Sequence, residues 1–196
     1  MEDTPAPRPY RHGNLPNAMR AAARSILDEA GPDGVGLRET ARRVGVSATA
    51  AYRHFDSKED LLASVAAEGF RELSAAMRAA VDSREPVIGL GLAYVEFALQ
   101  KRGLFRLMFG PLLVERGKYP SLNEAVNDAL SLIQQVVTGE ERRAHDDNPA
   151  TLAAWGLVHG LSTLFIDGLV PESQARVMAE KILLRSKPES PRVAAP

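Results

Sequence analysis

The chain of 196 residues contains no cysteine. This absence excludes a disulfide framework, a thiol nucleophile and a cysteine-held zinc ion, and it fits a reducing compartment. Nor is there an excess of charge of either sign: 24 Lys and Arg stand against 25 Asp and Glu, for a formal net charge of -1. A chain so balanced is not a polycation that coats nucleic acid over its whole surface. No run of alternating β-branched residues is long enough for a strand, and no internal repeat of useful period occurs. Catalytic signatures are equally scarce. His12, His54, His145 and His159 show no metal-ligand spacing, Gly89-x-Gly91 follows no strand, and no activated-serine motif appears. His145-Asp146-Asp147 reads as a charged loop. We expect no catalytic residue, no metal, no cofactor and no enzyme.

What is present describes a packed, all-helical protein. Apolar residues make up 45% and charged residues 25%, which is ordinary for a globular chain with its own core. The opening MEDTPAPRPYRHGN lacks the basic start and apolar run of a secretory signal and is read as a flexible arm over residues 1–13. The 19 residues from Asn148 to Ile166 carry no formal charge, close to the ~20 needed to cross a bilayer. Asn148, Pro149, Thr151, His159, Ser162 and Thr163 make that stretch too polar for lipid, so it predicts a helix buried among helices, with no membrane partner. A cytoplasmic location is expected.

Gly and Pro punctuate the chain at wide intervals, and about nine helices fit between them. The first opens at Asn14-Leu15-Pro16, carries Leu15, Met19, Ala22, Ile26, Leu27 and Ala30 on one face, and stops at Gly31-Pro32. Two short helices follow, Leu37 to Val44 and about Ala48 to His54, joined at Gly45. Ser57, with Asp60 three residues on, caps a long helix reaching Val81. Asp82 to Glu85 is the first plausible boundary. Pro86 begins a helix that Gly103 ends, Leu104 to Phe109 is short, and Ser121-Leu-Asn-Glu124 has the form of a capping box opening a helix to about Thr138. A charged loop spans Gly139 to Asp147. Asn148-Pro149 starts the uncharged helix, a last amphipathic helix runs from Pro171 to about Lys187, and a Pro-rich tail follows at 188–196. The implied division is an arm at 1–13, a head at 14–60, a body at 61–187 joined to it by the helix from Lys58, and the tail.

The two short helices carry the chemistry. Neither is long enough to be stable alone, so they need each other and the first helix. Ala41 is small where the second must cross, Gly45 permits a left-handed turn, and Val46 plugs the corner: a helix-turn-helix arrangement. Ser47 can cap the second helix, whose first turn then presents Ala48, Thr49 and Ala50, short side chains that let a helix sit deep in a major groove. Thr49 is the candidate reader of base edges. Between Arg8 and Lys58 nine basic residues face five acidic ones, a local excess of +4 that leaves -5 for the remainder of a chain totalling -1. A basic end on an acidic body suits one-ended phosphate binding. Arg38 joins this face, Arg42 and Arg43 are either phosphate contacts or a solvated surface, and His54 is read as a packing or hydrogen-bonding residue, Phe55 as core.

From Ala18 to Phe70 the sequence resembles the tetracycline-repressor (TetR) family of bacterial transcription regulators, most specifically at Gly45-Val-Ser47 and Tyr52-Arg-His-Phe55-Asp-Ser-Lys58. The resemblance implies that Tyr52 and Lys58 hold phosphates and that Ser47, Thr49, Tyr52 and Arg53 lie on or near the groove-facing surface. Thr40 departs from the apolar residue more usual in the family, and Ala51 is smaller than usual, which points to looser packing.

In the C-terminal half, Trp155 and His159 stand four residues apart, on one helical face with Leu152, Ser162, Thr163 and Ile166. Leu157, Leu161, Leu164 and Phe165 make the opposite face apolar as well. A helix apolar all round must be covered on both sides. One side can close the interior and the other can meet a second copy, with Gly156 and Gly160 allowing close approach. Trp155-x-x-x-His159-Gly160, within Thr151 to Val170, resembles the Trp-His-Gly subfamily of TetR C-terminal domains. That implies ligand binding and dimerisation through the last two long helices, with Gly156, Gly160, Leu161, Leu164, Met178 and Ile182 at the interface. Tyr94, Phe97, Phe105, Met108, Phe109, Ile133, Trp155, His159 and Thr163 are either a ligand cavity with a few polar points or simply core. The expected function is a homodimeric transcription regulator, a repressor released from a palindromic operator in double-stranded DNA by a small apolar effector. The alternatives are a DNA-binding co-regulator whose body binds a protein partner, and a helical enzyme or carrier.

Overall fold

A computed structural model describes residues 14–81, 84–140 and 148–186. The arm at 1–13, the tail, His145-Asp146-Asp147 and Asp82 lie outside the described residues. Among those described the chain forms no strand. Its helices are α1 (Leu15–Gly34), α2 (Leu37–Val44), α3 (Ala48–Tyr52), α4 (Lys58–Val81), α5 (Pro86–Gln100), α6 (Arg102–Met108), α7 (Pro111–Val114), α8 (Pro120–Thr138), α9 (Pro149–Ile166) and α10 (Glu172–Arg185), with a 3-10 turn at Arg116–Lys118. They group into two compact units: residues 1–71 with 101–127, and residues 72–100 with 128–196. Both α4 and α8 therefore pass from one unit to the other. Along α4 the change comes after Arg71, rather than at the residue 60 where the sequence reading divides head from body.

In the first unit, α1 buries Met19, Ala23, Ile26 and Leu27 at the 3–4 spacing of an amphipathic helix; Ala23 rather than the expected Ala22 is buried, Leu15 and Ala22 are half-buried, and Ala30 is exposed. The Asn14 carboxamide oxygen accepts from the Asn17 N–H at 3.4 Å, and Pro16 sits in the first turn. Gly31, at φ 70° and ψ -175°, breaks the helix where Gly31-Pro32 predicts a stop, and one further turn to Gly34 follows. At the head of α4 the Ser57 hydroxyl accepts from the Asp60 N–H at 3.1 Å, and the Asp60 carboxylate accepts from the Asp56 N–H at 3.1 Å. This is the capping reading of that segment, realised reciprocally.

Several helix boundaries differ from expectation, among them the end of α3 at Tyr52 and the span of α6. Helix α5 ends at Gln100, and Gly103 lies inside α6 rather than ending the helix before it. Its role is close approach: a Cβ there would stand 3.1 Å from Asp28 Oδ1 and 3.3 Å from the Leu27 carbonyl oxygen, because α6 packs against α1. Helix α8 starts at Pro120, one residue before the predicted capping box. The Ser121 hydroxyl instead accepts from Arg71 Nη2 at 2.7 Å. Helix α7 and the 3-10 turn have no sequence counterpart; too short to carry a hydrophobic period, they lack the signal from which helices are read.

The second unit is arranged around α5, which packs along both α9 and α10. Val95, Leu161, Phe165, Ala175 and Ala179 form its buried cluster, with Leu92, Leu99, Leu157, Val170 and Ile182 packed on it. By length and composition α9 could cross a membrane. Here its Thr151, Val158, Leu161, Ser162, Phe165 and Ile166 are buried in this unit, and Asn148 caps it, accepting from Ala150 N–H at 2.9 Å and Thr151 N–H at 3.3 Å.

The Gly103 contact gives a direct test. Gly103→Val must push α6 off the backbone of α1, and we expect a loss of about 1–3 kcal/mol, measured by thermal or denaturant unfolding.

Candidate functional site

The first site grows out of α2 and α3. Helix α2 turns Leu37, Thr40 and Ala41 inward and Arg38, Arg42 and Arg43 outward. Gly45, at φ 78° and ψ 29°, then takes the left-handed conformation that its lack of a Cβ permits. The helix end is closed by Val46 N–H to the Ala41 carbonyl at 3.0 Å and Gly45 N–H to the Arg42 carbonyl at 3.1 Å. On the far side of the turn the Ser47 hydroxyl accepts from the Ala50 N–H at 3.2 Å, which starts α3. Ala51 and Phe55 are buried and seat the short helix. The remaining positions follow: Ser47, Thr49, Tyr52 and Arg53 are exposed, Ala48 and Ala50 half-buried between them. Arg38 is exposed on α2. Lys58 is half-buried, its Nζ donating to the Asp33 carbonyl at 3.4 Å. His54, read from sequence as a packing residue, is exposed beside Arg53, since the chain leaves α3 at that point. Thr40 is wholly buried, but its hydroxyl donates to the Gly36 carbonyl at 2.8 Å, so an unusual polar residue is satisfied within its own helix.

The outer face of α2 is more nearly neutral than its cations suggest. Arg42 forks onto Glu39, Nε to Oε2 and Nη2 to Oε1, both at 2.8 Å. Arg43 forks onto Glu29 of α1 at 2.7 and 2.6 Å and reaches Glu39 with its Nε at 3.2 Å. These hydrogen bonds, from Arg43 to Glu29 and from Arg42 and Arg43 to Glu39, hold both carboxyls down at about 2. Arg20 is likewise paired, with Glu68 of α4 and Asn17. Part of the local basic excess thus serves internal contacts.

A second group of polar side chains lies in the other unit. Tyr94 of α5 is only 1% exposed, and its hydroxyl meets Trp155 Nε1 at 3.2 Å and His159 Nδ1 at 3.0 Å. Burial raises the phenol's pKa, so it keeps its proton. It accepts from the indole N–H, and its bond with His159 Nδ1 runs in the direction that the imidazole tautomer sets. Burial also lowers the His159 pKa.

The other residues read as cavity or interface are dispersed. Phe105, Met108 and Phe109 belong to the first unit, where Phe109 makes edge contact with Phe70 at 5.2 Å and Phe105 lies 4.7 Å from Phe109. Phe97 and Ile133 are buried in the second unit. Thr163 faces outward, its hydroxyl returned to the His159 carbonyl at 3.0 Å. The nine residues are thus divided between the two units. An open cleft of about 380 Å³ in the second unit is lined by Arg78, Val81, Pro86, Leu132, Gln135 and Val136, none of them foreseen. Of the interface residues, Gly156, Gly160, Leu164 and Met178 are exposed, Ile182 is half-buried and Leu161 is core. The outward strip of α9 runs instead through Leu152, Gly156, Gly160, Thr163 and Leu164, because Leu161 shares a face with Val158 and Phe165.

Residues 20–65 match the family described as bacterial regulatory proteins of the tetR family, and residues 87–183 match the tetracyclin repressor-like C-terminal domain. The chain belongs to the TetR family of transcriptional regulators. It is 25% identical over 146 residues to the uncharacterized HTH-type transcriptional regulator YobS of Bacillus subtilis (strain 168), spanning 73% of this chain and 74% of that one. Among solved structures, a protein of unknown function from Rhodococcus sp. RHA1 is 31% identical with a TM-score of 0.72, covering 91% of this chain and 98% of its own. The TetR family transcriptional regulator PfmR of Thermus thermophilus shares the fold at 20% identity and a TM-score of 0.57, covering 85% and 97%.

As a TetR-family protein the chain is a DNA-binding transcriptional regulator, and the matched N-terminal segment contains α2, the turn, α3 and Lys58. Sequence reasoning passed over Glu39, although its spacing to Arg42 and Arg43 is that of helical ion pairs. Glu29 stands 14 residues from Arg43, and nothing local points to it. The Tyr94 contact with Trp155 and His159 joins residues 61 and 65 apart and was equally invisible as a pair.

Tyr94→Phe removes the hydroxyl's hydrogen bonds to the half-buried Trp155 and His159, and chemical denaturation should show a loss of about 1–3 kcal/mol. Because the His159 pKa is lowered in the fold from 6.5, the unfolded chain takes up the proton first as pH falls. Stability should therefore be complete above 6.5 and decline below it, with a shallower decline in His159→Gln when unfolding is followed against pH.

Proposed function

We propose that this regulator acts as a homodimer whose two α3 helices read a pseudo-palindromic operator, and that it represses in the cytoplasm until a small, largely apolar molecule releases it. The observation that carries the DNA reading is the exposed strip Ser47, Thr49, Tyr52 and Arg53 on a helix whose start is capped and whose back is buried. Thr49 reads base edges, Ala48 and Ala50 allow close approach, and Tyr52, Arg53, Lys58 and Arg38 hold phosphates. Lys58 exchanges its Asp33 carbonyl for a phosphate oxygen, a charge-assisted contact in place of a neutral acceptor. In a dimer the two recognition helices sit roughly 34–36 Å apart, one turn of DNA.

Support for the dimer comes from the outward strip of α9 and α10. Leu152 is 61% exposed, Leu164 46%, and Val177, Met178 and Leu184 are exposed beside them. Gly156 and Gly160 leave open space where a Cβ would stand, so a second copy can approach the backbone of α9 closely. An apolar strip of this extent on the last two long helices is suited to a twin of itself, four helices burying one another.

The effector reading rests on Tyr94, Trp155 and His159, polar points in an apolar wall, in the manner of small-molecule sites. The match over residues 87–183 is to a different TetR C-terminal family, so the likeness of Trp155, His159 and Gly160 to the Trp-His-Gly type does not carry a subfamily assignment. A ligand that binds better to dimers with the wrong helix spacing depletes the DNA-binding population.

Operator selection from a random pool, followed by release with metabolite extracts, tests the whole. Lys58→Ala should weaken binding to all sequences and flatten the slope of log affinity against log salt by about 0.9 for each subunit of the dimer, whereas Thr49→Ala should change base preference with little change in slope. Leu164→Glu places two like charges across the dimer axis. Sedimentation should show monomers, and a dimer unchanged in the variant would remove the α9 strip from the interface.

A further inference from the structure

We infer that Glu39 limits the DNA affinity of this protein, holding the Arg42 guanidinium off the phosphate backbone while Arg43 is strapped between Glu39 and Glu29. The four side chains form one closed network on the outer face of α2 and α1. Two carboxylates meet two guanidiniums, so the group is neutral, although Arg42 and Arg43 contribute two of the basic residues that make the N-terminal segment cationic.

The two arginines are held differently. Arg43 bridges two helices, is 30% exposed, and touches both acids. It is a positioning residue that fixes α2, and with it α3, against α1. Arg42 is 73% exposed and is bound by Glu39 alone, one turn away on its own helix. It also lies one turn beyond Arg38 on the exposed strip of α2, the helix that crosses the phosphate backbone in a helix-turn-helix. A guanidinium presents the same fork to a carboxylate and to a phosphate. Glu39 therefore occupies the donors that a phosphate at this position needs, and it also sets a negative charge near that phosphate. The neutral network lowers the sequence-independent part of the binding while the base-reading residues of α3 are untouched, which favours discrimination over raw affinity.

Glu39→Gln keeps the shape of the side chain and removes its charge. Arg42 then gains a phosphate, and binding should tighten about tenfold per subunit of the dimer near 0.1 M salt on operator and unrelated DNA alike, with the salt slope steeper by about 0.9 per subunit. The double variant Glu39→Gln/Arg42→Gln should return to the parental slope, while Glu39→Gln with an unaltered slope overturns the proposal. Arg42→Gln alone leaves the strap between Glu39 and Arg43 in place and so reads the same question if Glu39→Gln does not fold. Its slope should equal that of the parent, because Arg42 is not on a phosphate in the parent complex. A slope flattened by about 0.9 per subunit would mean that Arg42 already contacts DNA and that Glu39 restrains nothing.

Discussion

Helix α3 has five residues, far fewer than the ~12 to 15 at which helices become even marginally stable in water. It exists because Ala51 and Phe55 are buried behind it and because Ser47 caps its start. The turn before it holds only because Gly45 occupies the left-handed region while Val46 and Gly45 close α2 behind it. Every exposed side chain on this short helix takes its direction from that burial. A looser seat for α3 would let Thr49, Tyr52 and Arg53 wander over distances larger than a hydrogen bond, and their arrangement would be lost before the fold was. The small Ala51 and the polar Thr40 are both wholly buried, and the Thr40 hydroxyl bonds to the Gly36 carbonyl at the head of its helix.

Charge at this end works on two scales. Along the sequence the basic residues cluster, and that cluster is what allows a chain of net charge -1 to bind a polyanion. In three dimensions part of the cluster is spent on holding helices together. Arg20 ties α1 to α4 and Arg43 ties α1 to α2, while Arg38, Arg53 and Tyr52 face outward. Counting cations by segment therefore overstates the charge available to phosphate, because counting is blind to which acid lies across from which base.

The C-terminal half shows the same division between what is local and what is not. Its helices are legible because their signals are local: Asn148-Pro149 starts α9 and Asn148 does cap it. The apolar circumference of α9 correctly calls for cover on two sides, yet the assignment of faces was imperfect. Leu161 stands between the two faces on a helical wheel, and the position of α5 and α10 drew it into the core. Gly103 misled for a related reason. In sequence a glycine after an apolar run ends a helix, whereas here it admits the backbone of α1.

The sequence by itself determined the all-helical class, most helix ends from caps and breakers, the helix-turn-helix with its Gly45 turn and Ser47 cap, and the family those residues mark. Each is a matter of neighbours within about four positions, where backbone geometry and hydrogen-bond chemistry act directly. Only the tertiary structure decided that Arg43 reaches Glu29, that Tyr94 binds Trp155 and His159, that Phe105, Met108 and Phe109 pack in the first unit, and which strip of α9 and α10 stays exposed. These depend on how helices pack against one another, and packing is settled by the shape and volume of a whole core rather than by any one stretch of chain.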